Sequence, residues 1–166
     1  MDSPVVHKVR KILLVEDNSD HAELIMQAAS EIEMECQFDV VSDGVEAIEY
    51  LFGLDEQKKP KPSRRPDLIL LDLKMPKMGG LQVLQVLRNT RHTSKFSLPP
   101  IVVLSSSNHD NDIQEAYKLG AISYLVKPVD AEKFNATVTK AMSYWLELNE
   151  PSHGEELYRH GLSFPQ

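Results

Sequence analysis

Apolar residues in this chain gather into short runs, separated by stretches whose apolar positions are spaced as on one face of a helix. The runs are Lys11 to Val15, Phe38 to Val41, Leu68 to Leu71, Ile101 to Leu104 and Ser123 to Val126, of which Leu68 to Leu71 is the central one, apolar throughout, while Asp39 and Ser123 interrupt two others. A run apolar at every position, rather than at every second one, suits a strand covered on both faces, as in a parallel sheet. Between the runs, Ile25, Ala28, Ala29 and Ile32 mark one helix, and Ala47, Ile48, Leu51 and Phe52 a second. Leu81, Leu84 and Leu87 mark a third starting near Gly80, and Ile113, Ala116 and Tyr117, facing inward, a fourth. The spacing predicts a last helix from about Ala131 to Leu148, with Pro151 beyond it. Asp20 with Glu23 reads as a capping box, Asp110 or Asn111 as a cap, and Gly120 as a stop. Strand and helix therefore alternate in βα repeats, which implies a doubly wound α/β domain with helices on both faces.

Composition narrows the class. A hydrophobic share of 42% and a charged share of 26% are ordinary for a globular chain of 166 residues, and imply one domain with an appendage. The net charge of −7 argues against a nucleic-acid partner, which needs clustered Lys and Arg. The basic cluster from Lys58 to Arg65 lies among prolines in a charged stretch, 53–66, that reads as a long surface loop. One cysteine, Cys36, excludes an internal disulfide and suits a cytoplasmic setting. No stretch approaches membrane-spanning length, so no membrane contact is expected.

The chemistry gathers at the strand ends. Glu16-Asp17, Asp72, Ser105 and Lys127 each follow an apolar run directly, on separate strands. Any one has a bland explanation: a cap, a turn, a surface lysine. With strand order 2-1-3-4-5, however, these tips meet in one crevice at the carboxyl end of the sheet, where open α/β folds bind ligands. Adjacent carboxylates repel, and a Mg²⁺ ion with its preference for hard oxygen ligands would relieve them. Acids for a cation, a nucleophile, a hydroxyl and a fixed positive charge together suit a transferring phosphoryl group.

The stretch Asp72-Leu-Lys-Met-Pro-x-x-x-Gly80 resembles the phosphoacceptor loop of two-component receiver domains. From Lys11 to about Leu148 the chain resembles a response-regulator receiver throughout, with a flavodoxin-like five-stranded sheet implied. The resemblance implies that Asp72 takes a phosphoryl group from a sensor histidine kinase. It implies Mg²⁺ held by Glu16, Asp17, Asp72 and the Lys74 carbonyl, and a phosphoryl group met by Lys127 and Ser105. Tyr124 matches the family's switch aromatic, and the Lys127-Pro128 bond is expected to be cis. Lys74 and Ser107 occupy positions that tune loss of the phosphoryl group. Glu16 and Ser105 stand where many members carry Asp and Thr. The segments 1–10, 11–149 and 150–166 read as leader, receiver and tail, with no output domain. The loop at 53–66 and the Tyr144-Trp145-Leu146 helix end resemble the single-domain regulators that accompany phytochromes, so a bacterial phytochrome is a candidate kinase.

Phe134, Val138, Ala141, Trp145 and Leu148 form one apolar stripe on the last helix. Its far end, Trp145 and Leu148, is expected to leave the sheet and make a homodimer interface, helped by Leu157, Tyr158, Leu162 and Phe164 of the tail. An aspartyl phosphatase is disfavoured because Lys74 stands where such enzymes carry a second acid, and no enzymatic activity beyond self-phosphorylation and dephosphorylation is expected. A flavin protein is disfavoured because Glu16-Asp17 would repel a phosphate. The remaining alternative is an interaction module that never carries a phosphoryl group. The histidines lack metal-ligand spacing and read as surface residues.

Overall fold

The computed structural model describes residues 9–53, 66–91 and 98–148, apart from the side chains of Arg91 and Leu148. The leader through residue 8, most of the 53–66 loop and the tail beyond 148, with the expectations placed on them, lie outside the described residues. The elements run β1 (Arg10–Val15), α1 (Ser19–Ala29), β2 (Cys36–Val41), α2 (Gly44–Phe52), β3 (Leu68–Leu71), α3 (Gly80–Arg91), β4 (Ile101–Ser105), α4 (Asp110–Lys118), β5 (Ser123–Val126) and α5 (Ala131–Ser143). All strand pairs are parallel, and the order is β2-β1-β3-β4-β5, as the alternation implied.

The central strands are apolar on both faces because each face has its own helical cover. Ile12, Leu14, Leu68, Leu70, Val102 and Leu104 join Ile25, Phe134, Val138 and Met142 on the side of α1 and α5. Leu13, Val15, Ile69, Leu71, Ile101 and Val103 join Ala47, Leu84, Leu87 and Ala116 on the side of α2, α3 and α4. Register then aligns the strand ends, with Val15 beside Leu71 and Leu71 beside Val103. Glu16 and Asp72, next on β1 and β3, and Ser105, two past Val103 on β4, therefore lie toward one shared edge.

Several local expectations need correction. Asn18, not Asp20, caps α1: its side chain accepts from the Asp20 and His21 backbone N–H groups. The N-cap of α4 is His109, whose side chain caps nothing, while Asp110 lies in the first turn. Gly120 does stop α4, at a φ of 108° that a side chain would disfavour. Tyr117 points outward, 48% exposed. α5 ends at Ser143 and continues as a π-helical turn, Tyr144–Leu148. The buried stripe is Phe134, Val138, Met142 and Leu146, with Ala141 only half-buried. Trp145 is half-buried against the α1–α5 cluster instead of leaving the sheet, and Tyr144 is the exposed aromatic of the pair.

Candidate phosphoacceptor site

Each site residue is aimed by the strand before it. Glu16 follows β1, and its backbone N–H is held by the Val41 carbonyl of β2 at 3.0 Å. The Asp72 N–H is held likewise by the Val15 carbonyl at 3.0 Å, which sets the two strand ends side by side. Glu16 and Asp72 are buried, whereas Asp17 is exposed. Ligand oxygens of Glu16, Asp17 and Asp72 lie within 4.8 Å of one another. Three carboxylates this close form a hard-oxygen set that suits Mg²⁺ rather than a softer metal.

Lys127 is the counter-charge. Its Nζ donates to Glu16 Oε2 at 2.5 Å and to Asp72 Oδ2 at 3.3 Å, with the side chain almost wholly buried. Its own N–H donates to the Ser105 carbonyl at 2.8 Å, tying the end of β5 to β4. The Lys127-Pro128 bond is trans, for no peptide among the described residues is cis. That corrects the expectation of a cis bond. A prolyl bond prefers trans by only about 0.5–1 kcal/mol, so sequence alone does not settle the isomer. Burial holds the Glu16 carboxyl above its usual range, with Lys127 pulling it down and Asp72 pushing it up.

The hydroxyl side of the crevice is arranged around β4. Ser105 is fully buried, and its Oγ accepts from the Ser107 N–H at 3.2 Å. The Ser107 hydroxyl in turn donates to Asp112 of α4 at 2.5 Å. Tyr124 turns inward, donating its hydroxyl to the Ser107 carbonyl at 2.9 Å. Burial raises the Tyr124 pKa, against the hydroxyls of Ser105 and Ser107, which lower it.

The loop after Asp72 is pinned on both sides. The Lys74 N–H reaches Asp72 Oδ1 at 3.4 Å, while the Lys74 side chain is exposed. Gly80 packs so tightly that a Cβ there would lie 2.3 Å from the Asp72 carbonyl oxygen. Lys77 adopts a left-handed φ of 62° and pairs with buried Asp43 at 2.9 Å. Met75 and Met78 are half-buried and pack against the core cluster of α2, α3 and α4.

Other participants escaped sequence reasoning. His21 Nδ1 lies 3.0 Å from Lys127 Nζ, although the histidines read as surface residues. Asp112 and Tyr117 attach α4 to the Ser107 and Tyr124 region, Tyr117 by accepting the Tyr124 N–H at 3.1 Å. No motif spacing announces any of them, since each is defined by the neighbour it meets in space.

Comparison with known proteins places the chain in a family. Residues 12–139 match the family described as response regulator receiver domain. The chain is 36% identical over 138 residues to a probable methanogenesis regulatory protein, FilR2, of Methanothrix harundinacea, covering 83% of this chain and 84% of that one. It is 31% identical to the response regulator Rcp1 of Synechocystis, covering 82% of this chain and 88% of that one. Among solved structures, the phosphorylated cyanobacterial phytochrome response regulator RcpA superposes with a TM-score of 0.74 at 32% identity, covering 86% of this chain and 98% of that one. The Mn²⁺-bound form of Rcp1 also gives 0.74, at 29% identity and covering 86% and 99%. With its sheet order, its converging carboxylates and this likeness along most of its length, the chain belongs to the response regulator receiver domain family of two-component signalling.

Proposed function

We propose that Asp72 is the phosphoacceptor, taking a phosphoryl group from a sensor histidine kinase and relaying its presence by conformational change. The observation that carries this is the buried Lys127 ammonium bridging Asp72 and Glu16 beside the three clustered carboxylates. The Asp72 carboxylate attacks phosphorus, an acyl phosphate forms, and the donor's nitrogen leaves with the bonding pair. The developing negative charge needs fixed positive charge nearby. Lys127 supplies one such charge and Ser105 a hydroxyl donor. Glu16, Asp17, Asp72 and the Lys74 carbonyl would hold Mg²⁺, which supplies further charge neutralisation when bound.

The reading predicts Mg²⁺-dependent incorporation of one phosphoryl group from acetyl phosphate, seen by mass spectrometry and lost in Asp72→Asn. Incorporation that persists in that variant or with the metal chelated would overturn it. Complete absence with every donor, kinase included, would favour the alternative of a module that never carries a phosphoryl group. Lys74, exposed beside Asp72, and Ser107 are proposed to set the lifetime of the acyl phosphate.

A bacterial phytochrome is the proposed kinase, supported by the likeness to RcpA and Rcp1, and the cytoplasm the proposed compartment, in keeping with the free Cys36 thiol. Turnover beyond self-phosphorylation and dephosphorylation is not part of the proposal. Homodimer formation through the last helix keeps exposed Tyr144 as its support, with Trp145 and Leu148 beside it in sequence. Sedimentation of wild type and Tyr144→Ala decides it, and a monomeric wild type at micromolar concentration ends it.

A further inference from the structure

His21 sits on the first turn of α1, where the Asn18 cap accepts its backbone N–H at 3.1 Å. Its ring lies 5.9 Å from that of Phe134, which is buried, so the imidazole is placed from two directions. Nδ1 then meets Lys127 Nζ at 3.0 Å, while 38% of the side chain stays exposed. An ammonium carries three N–H donors and no acceptor. Lys127 directs them at Glu16 Oε2, Asp72 Oδ2 and His21 Nδ1. For this to hold, Nδ1 must carry a lone pair and the imidazole must be neutral. Burial, then Lys127 itself, lowers the His21 pKa, in keeping with that state.

The three partners of Lys127 differ in kind. Glu16 and Asp72 belong to the carboxylate cluster and would share their oxygens with a cation. Asp72 also changes charge and shape when it is phosphorylated. His21 lies outside the cluster, with its Nδ1 nearer to Lys127 Nζ, at 3.0 Å, than to Glu16 Oε1, at 3.9 Å. We propose that His21 is a positioning residue for phosphoryl binding, its Nδ1 holding the Lys127 ammonium beside Asp72 while the carboxylates are engaged elsewhere. This rests on Asp72 being the phosphoacceptor. The role is one of placement and needs no change of protonation.

Two measurements on the full chain test it. In the metal-free protein, nitrogen NMR should find His21 Nδ1 unprotonated, with a signal that moves in Lys127→Met. A protonated Nδ1, or one indifferent to Lys127, overturns the proposal whatever the fate of the phosphoacceptor reading. Second, beryllofluoride is titrated as a phosphoryl mimic in saturating Mg²⁺. His21→Phe keeps a ring against Phe134 but lacks the acceptor. It should weaken the mimic by about five- to tenfold, in line with loss of one charge-assisted hydrogen bond at a partly exposed site.

His21→Asn, which offers an oxygen near the place of Nδ1, should recover affinity to within about twofold, and Mg²⁺ affinity should change by less than twofold in both. Equal mimic affinity in His21→Phe and wild type, or failure of His21→Asn to recover, overturns the proposal. An equal loss of Mg²⁺ affinity does so too, since His21 would then serve the cation cluster instead. Failure of wild type to bind the mimic, or binding retained in Asp72→Asn, tells against the phosphoacceptor reading, and the NMR measurement still decides the contact.

Discussion

The helices α5 and α4, on opposite faces of the sheet, are held by different means. On one, α5 buries Phe134, Val138 and Met142 against Ile25, Ala28 and Ala29 of α1, and the polar links, Asn135 to Glu31 and Thr139 to the Ala28 carbonyl, lie at its margin. On the other, α4 buries Ala116 within its length and Leu119 at its end. Polar pins do much of the work there. Ser107 meets Asp112, Tyr117 meets the Tyr124 N–H, Arg88 meets the Lys118 carbonyl, and Asp43 meets Lys77. Apolar burial contributes roughly 25 cal/mol per Å² and resists small displacement, whereas a hydrogen bond to a partly exposed group nets only about 0.5–1.5 kcal/mol. α5 is therefore anchored by burial. α4 can rearrange at smaller cost, and it lies on the side from which Tyr124 enters the crevice, while Leu84 and Leu87 of α3 keep that face packed.

The contrast can be broken from its strong side. Met142 is fully buried between α1 and the sheet. Met142→Ala should destabilise the chain by about 2–5 kcal/mol, from lost transfer energy and a cavity, in urea denaturation. A cost below about 1 kcal/mol, by the scale of large-to-small core changes, would mean the face is looser than its burial implies.

On the pinned side, Gly80→Ala forces a Cβ toward the Asp72 carbonyl and the Leu73 backbone. A cost of about 1–3 kcal/mol is expected from overpacking. Beryllofluoride affinity should fall with it, because the Asp72 loop must shift. Unchanged affinity would show that the loop absorbs the methyl elsewhere.

The Asp43–Lys77 pair carries a pH signature. The Lys77 ammonium first, then the Glu46 N–H, holds the Asp43 carboxyl below its usual range. A depressed folded-state pKa adds stability above the unfolded value of about 3.9 and loses it as pH falls through the folded value. Asp43→Asn keeps a good N-cap for α2 but removes the charge. Its stability should fall less steeply than that of wild type below about pH 4 in denaturation series. Parallel acid limbs would deny the pair a role.

The smallest effect is expected from Tyr117→Phe, which removes the acceptor for the Tyr124 N–H. Global stability should change by less than about 1 kcal/mol. Hydrogen exchange at the Tyr124 amide and along α4 should nevertheless quicken severalfold, while α5 amides stay as in wild type. Equal protection in both helices would erase the difference between α4 and α5.

Much of this protein is written in short-range pattern. The apolar runs of β1, β3 and β4 required strands covered on both sides, unlike the edge strands, where Val40 and Val126 stay exposed, and the alternation with helical spacing required a parallel sheet. The residue after each run had to lie at one edge, so Glu16, Asp17, Asp72, Ser105 and Lys127 could be named before any coordinate. Gly120 ending α4 came from local chemistry as well. What sequence could not determine depends on partners far along the chain. His21 reads as a surface residue until β5 brings Lys127 against it, 106 positions away. Tyr117 fits an apolar helical face, yet it turns outward because its hydroxyl finds a bare N–H on the edge strand. The buried stripe runs Phe134, Val138, Met142 and Leu146, already through Met142 and not Ala141 before the π-helical turn begins, which leaves Tyr144 exposed. Lys127-Pro128 is trans although either isomer is within reach of its intrinsic preference. Periodicity fixes which face of an element is apolar, but only the packed sheet decides which polar groups meet across it, because that choice depends on distance in space and not on spacing along the chain.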